Sequence, residues 1–146
     1  MRKLDHIVGS DKKVRRHEET EAQATVLTGL RYLGFLAWRN QKGIIPIWAG
    51  TGQTRRVIAT RKNRESEYTN GLPDIFVILK PDGMLLGIEM KSTTGKLSTD
   101  QETWRDRFFH NGAEYLVATS WDEVLRFLQS KGYASNGSPA MRLRSM

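Results

Sequence analysis

The stretch that most constrains this chain is Ile75-Phe76-Val77-Ile78-Leu79, five apolar residues in a row, with Pro81-Asp82-Gly83 directly behind it. A short, unbroken apolar run is the mark of a buried strand, and the turn residues send the chain back on itself. Leu85 to Lys91 is the returning strand, so residues 75–91 read as a β-hairpin. Side chains alternate along a strand. Glu89 and Lys91 therefore share one face of the returning strand, and Ile88 and Met90 share the other.

Helical spacing brackets the hairpin. Ala22, Val26, Leu27, Leu30, Leu33 and Leu36 recur at intervals of three and four, which predicts a helix from Glu18 to about Trp38, with Gly34 as a point where it ends or bends. Either Ser98 or Thr99 opens the next helix, because Ser98 with Gln101 and Thr99 with Glu102 both fit a capping box. That helix stops at Asn111-Gly112. Tyr115–Ala118 reads as a further strand. Ser120 with Glu123 caps a last helix, which ends at Gly132 with Val124, Leu125 and Leu128 inward.

Residues 39–71 are less regular. Ile44, Ile45, Ile47 and Trp48 around Pro46 read as a short edge strand. Gly50-Thr51-Gly52 is a turn, Val57-Ile58 a second short strand, and Asn70-Gly71 another turn. The order of elements predicts an α/β fold, a central mixed sheet flanked by helices. The expected division is a basic, mobile arm at 1–17, a domain at 18–132 and a flexible tail at 133–146.

Charge and composition narrow the function. Residues 1–66 carry 14 basic and 6 acidic groups, and residues 67–146 carry 9 and 10, so the whole net charge of +7 sits in the first half. A localised excess of this kind fits a polyanion such as nucleic acid. The chain has no cysteine, which excludes disulfides, thiolate metal sites and a cysteine nucleophile. No apolar run is long enough to span a bilayer, and no apolar stretch follows the basic N-terminus. The cytosol is the expected compartment, with no membrane partner.

The second half carries the chemistry. Asp74 opens the first hairpin strand, and Glu89 and Lys91 end the second. A hairpin returns its second strand beside the start of its first, so Asp74 is expected to meet Glu89. Two carboxylates and a lysine then gather at one edge of an apolar sheet. Hard oxygen ligands of this kind hold Mg²⁺ or Mn²⁺, which assists phosphodiester hydrolysis. Taken alone, Glu-x-Lys is an ordinary surface pair and Pro-Asp an ordinary turn. Their coincidence at hairpin geometry is the informative feature.

With these residues in view, GLPDIFVIL, GIEMKSTTGKLSTDQETW and FFHNGAEYLVATSWDEV together resemble the virus-type replication-repair nuclease (VRR-NUC) branch of the PD-(D/E)xK nuclease superfamily. The resemblance spans about residues 18–128 and is of the stand-alone type found in phages and bacteria. It implies a restriction-endonuclease-like core and a Mg²⁺- or Mn²⁺-dependent DNA endonuclease. In that reading Asp74, Glu89 and the backbone carbonyl of Met90 hold the metal, and Lys91 positions or activates water. It also implies a glutamate on the first helix. Glu19 lies on the inward stripe with Ala22, Gln23 and Val26, whereas Glu21 faces solvent and Glu18 flanks it. Gln101 shares a face with Trp104 and Phe108, and is either a helix cap or a group that reaches the site.

Arg55, Arg56, Arg61, Lys62 and Arg64 form the candidate nucleic-acid patch, and Lys96 is placed to touch phosphate. Trp38 and Trp48 either stack on bases or fill the core. The resemblance further implies a homodimer that cuts branched DNA, four-way junctions first. The competing readings are a flap- or restriction-type nuclease, and a catalytically silent DNA-binding module of the same fold.

Overall fold

The computed structural model describes residues 5–40, 44–62 and 70–136, with the side chains at 5–13, 15, 16, 44–46 and 60–62 excepted. Its elements are α1 (Asp5–Tyr32), β1 (Leu36–Arg39), β2 (Ile44–Ala49), a 3-10 turn (Gly52–Thr54), β3 (Arg56–Lys62), β4 (Ile75–Ile78), β5 (Leu85–Met90), α2 (Thr99–His110), β6 (Glu114–Ala118) and α3 (Trp121–Ser130). Four strands form a mixed sheet in the order β1-β4-β5-β6, and β2 and β3 form a separate two-stranded ribbon. The β1–β4 and β4–β5 pairs are antiparallel, while β5 and β6 run parallel with α2 as the connection. The expected mixed sheet flanked by helices is present.

The hairpin pairs Ile75 with Ile88 and Ile78 with Leu85. Ile75, Val77, Leu86, Ile88 and Met90 point to one face, where Val26, Leu27 and Leu30 of α1 and Val124, Leu125 and Leu128 of α3 close over them. The two helices approach so tightly that a Cβ on Gly29 would lie 2.7 Å from the Trp121 ring. The opposite face carries Phe76, Gly87 and Tyr115, with Phe108 of α2 packed on it. Gly87 is required there, since a Cβ would sit 2.6 Å from both Phe108 and Pro73. With layers on both faces, β5 is buried almost throughout, as strands inside a two-sided sandwich are.

The first helix starts earlier than its spacing predicts and ends at the Gly34 signal. It begins at Asp5, so residues 5–17 extend α1 instead of forming an irregular arm. That stretch contains no proline, and lengthening a docked helix requires no new nucleation. It stops at Tyr32, short of Trp38. Gly34 takes a positive φ of 85°, and the Phe35 and Gly34 N–H groups donate to the carbonyls of Leu30 and Arg31. This Schellman closure ends the helix and frees Leu36–Arg39 to pair with β4. Gly112 and Gly132 end α2 and α3 in the same manner.

Tyr133 and Ala134 pack against the core, and the Tyr133 hydroxyl donates to Asp82 in the hairpin turn at 2.7 Å. Among the described residues no helix is long and apolar enough to cross a membrane.

Candidate active site

The hairpin brings together the residues its sequence promises. Asp74, just ahead of β4, is 5% exposed, and its Oδ2 accepts the Met90 N–H at 2.9 Å. The register puts it across from Glu89, whose carboxylate is 2% exposed. Gly71 sets this up locally. Its φ of 87° turns the chain, and the absence of a side chain lets the loop press against the Asp100 and Gln101 backbone, where a Cβ would collide. Pro73 is buried beside it. The GLPD loop is thereby wedged against the first turn of α2.

Glu89 Oε1 receives two donors. The Gln101 amide donates at 2.6 Å, and the Lys91 ammonium lies 3.3 Å away with its side chain 18% exposed. An ionised carboxylate at this depth requires such partners, because burial without them is strongly unfavourable. Lys91 thus sits between the buried acid and solvent.

Gln101 resolves the choice left by its sequence, because both roles hold. Its Oε1 accepts the Ser98 N–H at 2.9 Å, while the Ser98 hydroxyl accepts the Gln101 N–H at 3.3 Å. That is a complete capping box, and it selects Ser98 over Thr99 as the N-cap. The Nε2 end of the same amide reaches Glu89. An amide carries an acceptor and donors on one planar group, and a carboxylate could not supply the second contact.

Glu19 is placed differently. It lines an open cleft of about 180 Å³ with Glu18, Ala22, Lys91, Ser92, Thr93 and Thr119. The helical phase is as expected, with Glu19 half-buried and Glu21 turned outward into an exposed pair with His17 at 3.3 Å. Glu18, read as a flanking residue, also borders the cleft. Among the described residues, however, no three acidic or histidine side chains gather as a metal-binding group. Glu19 therefore shares the cleft with Lys91 without joining Asp74 and Glu89 as a third clustered donor.

Lys96 is exposed on the loop between β5 and α2. Arg55 and Arg56 lie exposed on the ribbon. Arg61 and Lys62 belong to β3 with side chains outside the described residues, and Arg64 lies outside them altogether. Trp38 and Trp48 both avoid the core. Trp38 stacks on Phe76 at 5.8 Å, and Trp48 is 49% exposed.

Sequence reasoning missed Ser92, Thr93 and Thr119, which lie just past the ends of β5 and β6. Crevices form at the carboxyl ends of parallel strands, so recognising β6 as the parallel partner of β5 is the signal that finds them. It also missed Tyr115. This residue pairs with Gly87 on the carboxylate face, and its buried hydroxyl has no hydrogen-bond partner among the described residues. Burial raises its pKa above the usual tyrosine range, and the negative charges of Glu89 and Asp74 add to the effect.

The divalent metal implied by such a site can be tested against these donors. Mg²⁺ is commonly held by one or two carboxylates with water and substrate phosphate completing the shell. Asp74 and Glu89 are an all-oxygen pair that fits this habit.

A mixed sheet with two helices on one face, one on the other, and an acidic pair with a lysine at the mouth of its central hairpin defines a nuclease-type α/β domain. The chain belongs to the VRR-NUC domain family, whose model matches residues 48–122, just over half its length. A solved structure titled "VRR_NUC domain" has the same fold. It aligns at a TM-score of 0.50 and 22% identity, over 80% of this chain and 98% of the other. No curated protein sequence matches the chain. Membership of this family implies a nuclease function.

Proposed function

We propose that the chain is a divalent-metal-dependent endodeoxyribonuclease that cuts branched DNA, four-way junctions in preference to linear duplex. The observation that carries the metal-dependent nuclease reading is the buried Glu89 carboxylate, tied to Gln101 and Lys91 beside Asp74, while the branched substrate rests on the family resemblance. An acid held this deep is a poor device for stability, since apolar residues of similar size serve a core as well or better. It is a good device for binding a hard cation.

Asp74 and Glu89 would hold Mg²⁺ or Mn²⁺, together with the Met90 carbonyl. The bound metal would polarise the phosphate and lower the pKa of attacking water. Lys91 orients that water or steadies a phosphoryl oxygen from the solvent side of Glu89. Glu19 faces Lys91 across the cleft and assists from there. Gln101 is a positioning residue, which fixes the Glu89 carboxylate without touching substrate. Arg55, Arg56, Arg61, Lys62, Arg64 and Lys96 would bind the DNA backbone. One copy offers one site, and resolving a junction takes two symmetric cuts, so a twofold homodimer is the expected working form.

The test is cleavage of linear, flap, splayed and four-way DNAs with Mg²⁺, Mn²⁺ or EDTA, alongside light scattering. The expected result is metal-dependent cutting, fastest on four-way DNA, by a species of twice the chain mass. Robust cutting by Glu89→Gln would overturn the site. Binding without cutting under every metal would identify a silent module.

A further inference from the structure

Among the described residues, the β2–β3 ribbon adds none to the core and none to the carboxylate site. Its described apolar side chains are bare instead. Ile47, Trp48, Val57 and Ile58 are all exposed. Ile47 and Trp48 are neighbours on β2 and point to opposite faces, so apolar groups lie open on both sides, with Ile58 the extra residue where the pairing shifts opposite them. The same region is electrically one-sided. Residues 39–64 contain seven Lys and Arg and no Asp or Glu. Nucleic acid meets both demands at once, with phosphates for the charges and flat base faces for the apolar groups.

Trp48 is where these features converge. The Arg55 guanidinium stands 4.6 Å from its ring centroid and holds the indole from one side. The intervening turn is fixed by Thr54, whose hydroxyl donates to the Thr51 carbonyl at 2.7 Å and accepts the Thr51 N–H at 3.2 Å. An aromatic ring held in place and half exposed is preorganised for stacking.

The ribbon is also rooted at the catalytic end of the sheet. The chain leaves β1 at Asn40, whose N–H donates to the Asp74 carbonyl at 2.8 Å. It returns at Gly71, against the Asp100 and Gln101 backbone. Ile44 follows Asn40 by four residues, which limits their separation to about 14 Å. The base of the ribbon is thus tied to the Asp74 end of the sheet, and Trp48 and Arg56 stand at its turn end, one strand length further out.

We propose that the β2–β3 ribbon is a branch-reading arm, with Arg56 on the phosphate backbone and Trp48 stacked on the base face exposed where a duplex ends or forks. This rests on the branched-DNA reading above. Inside a duplex each base face is covered by its neighbours. At a branch the last pair presents an open face, which the pinned indole matches.

The test separates binding from cleavage. Anisotropy is measured in EDTA with a labelled four-way junction and a linear duplex of the same sequence. Trp48→Ala is expected to weaken junction binding roughly tenfold or more, and duplex binding by less than about twofold. Trp48→Phe keeps most of the junction affinity. Arg56→Ala lowers the salt slope on both DNAs by about one. Unchanged binding by Trp48→Ala would overturn the proposal. So would equal losses on junction and duplex, which mean phosphate grip alone, or a fall in molecular mass, which means the ribbon joins two copies. Because no metal is present, these outcomes are independent of whether Glu89→Gln abolishes cutting.

Discussion

Gln101 joins a helix cap to the buried Glu89 carboxylate through one amide, and its variants separate stability from the chemistry proposed for that carboxylate. Ser98→Ala removes a helix cap and is expected to cost about 0.5–2 kcal/mol of stability with cleavage retained. Gln101→Ala removes the cap partner and the Glu89 donor together. Its cleavage is expected to fall roughly 10–100-fold, the usual penalty for losing a group that orients a metal ligand. Thermal melts and single-turnover cleavage of both variants check this, and equal activity in the two would reduce Gln101 to a cap. Tyr115 makes a contrasting prediction. Its buried hydroxyl has no hydrogen-bond partner among the described residues, so Tyr115→Phe is expected to leave the melting temperature unchanged or raise it.

The helices and strands are punctuated by side chains that act over a few residues, and two of these junctions respond to simple tests. At the start of α3 the Glu123 carboxylate accepts the Thr119 N–H and hydroxyl, both at 2.8 Å, and the Ser120 hydroxyl accepts the Glu123 N–H at 3.4 Å. The reciprocal bond thus goes to the residue before the N-cap. Those donors, the backbone N–H first, hold the Glu123 pKa below its ordinary value. A lowered folded pKa means stability that is present above the ordinary glutamate value and lost as pH falls through the folded one. Glu123→Gln is therefore expected to cost stability at neutral pH, by no more than about 1 kcal/mol, and to match wild type in strong acid. Denaturant melts across pH 2 to 7, as an approximate range, measure this. Gly87→Ala tests the α2 interface. Its methyl meets Phe108 and Pro73, and overpacking of this kind costs about 1–3 kcal/mol.

Taken together, the described residues form a packed four-stranded domain with a basic ribbon attached at the end of the sheet that holds Asp74. Among the described residues the ribbon shares none with the core of the domain, so the two are expected to be separable. Replacing residues 44–62 with a short Gly-Ser linker should move the melting temperature by no more than about 4 °C. The same variant should bind branched DNA far more weakly at moderate salt. A large loss of stability would show that the ribbon braces the sheet. Calorimetry and binding on the same preparation decide between these outcomes.

The amino-acid sequence alone determined whatever depends on near neighbours. Pro81-Asp82-Gly83 makes the hairpin turn, Gly112 and Gly132 stop helices, and Ser98 opens one, because each acts within a turn or two of chain. The hairpin also carried Asp74, Glu89 and Lys91 to one place, since its register follows from a tight turn. Only tertiary structure decided the rest. Leu36 continues a helical spacing as well as it enters a strand. What settles it is the Gly34 closure and the pairing of Leu36 with Ile78, far along the chain. The double role of Gln101 required α2 to lie against the end of β5, and the Ser92, Thr93 and Thr119 cleft required β6 to run parallel to β5. Contacts of this kind join segments that local periodicity cannot relate, so they exist only once the sheet has closed.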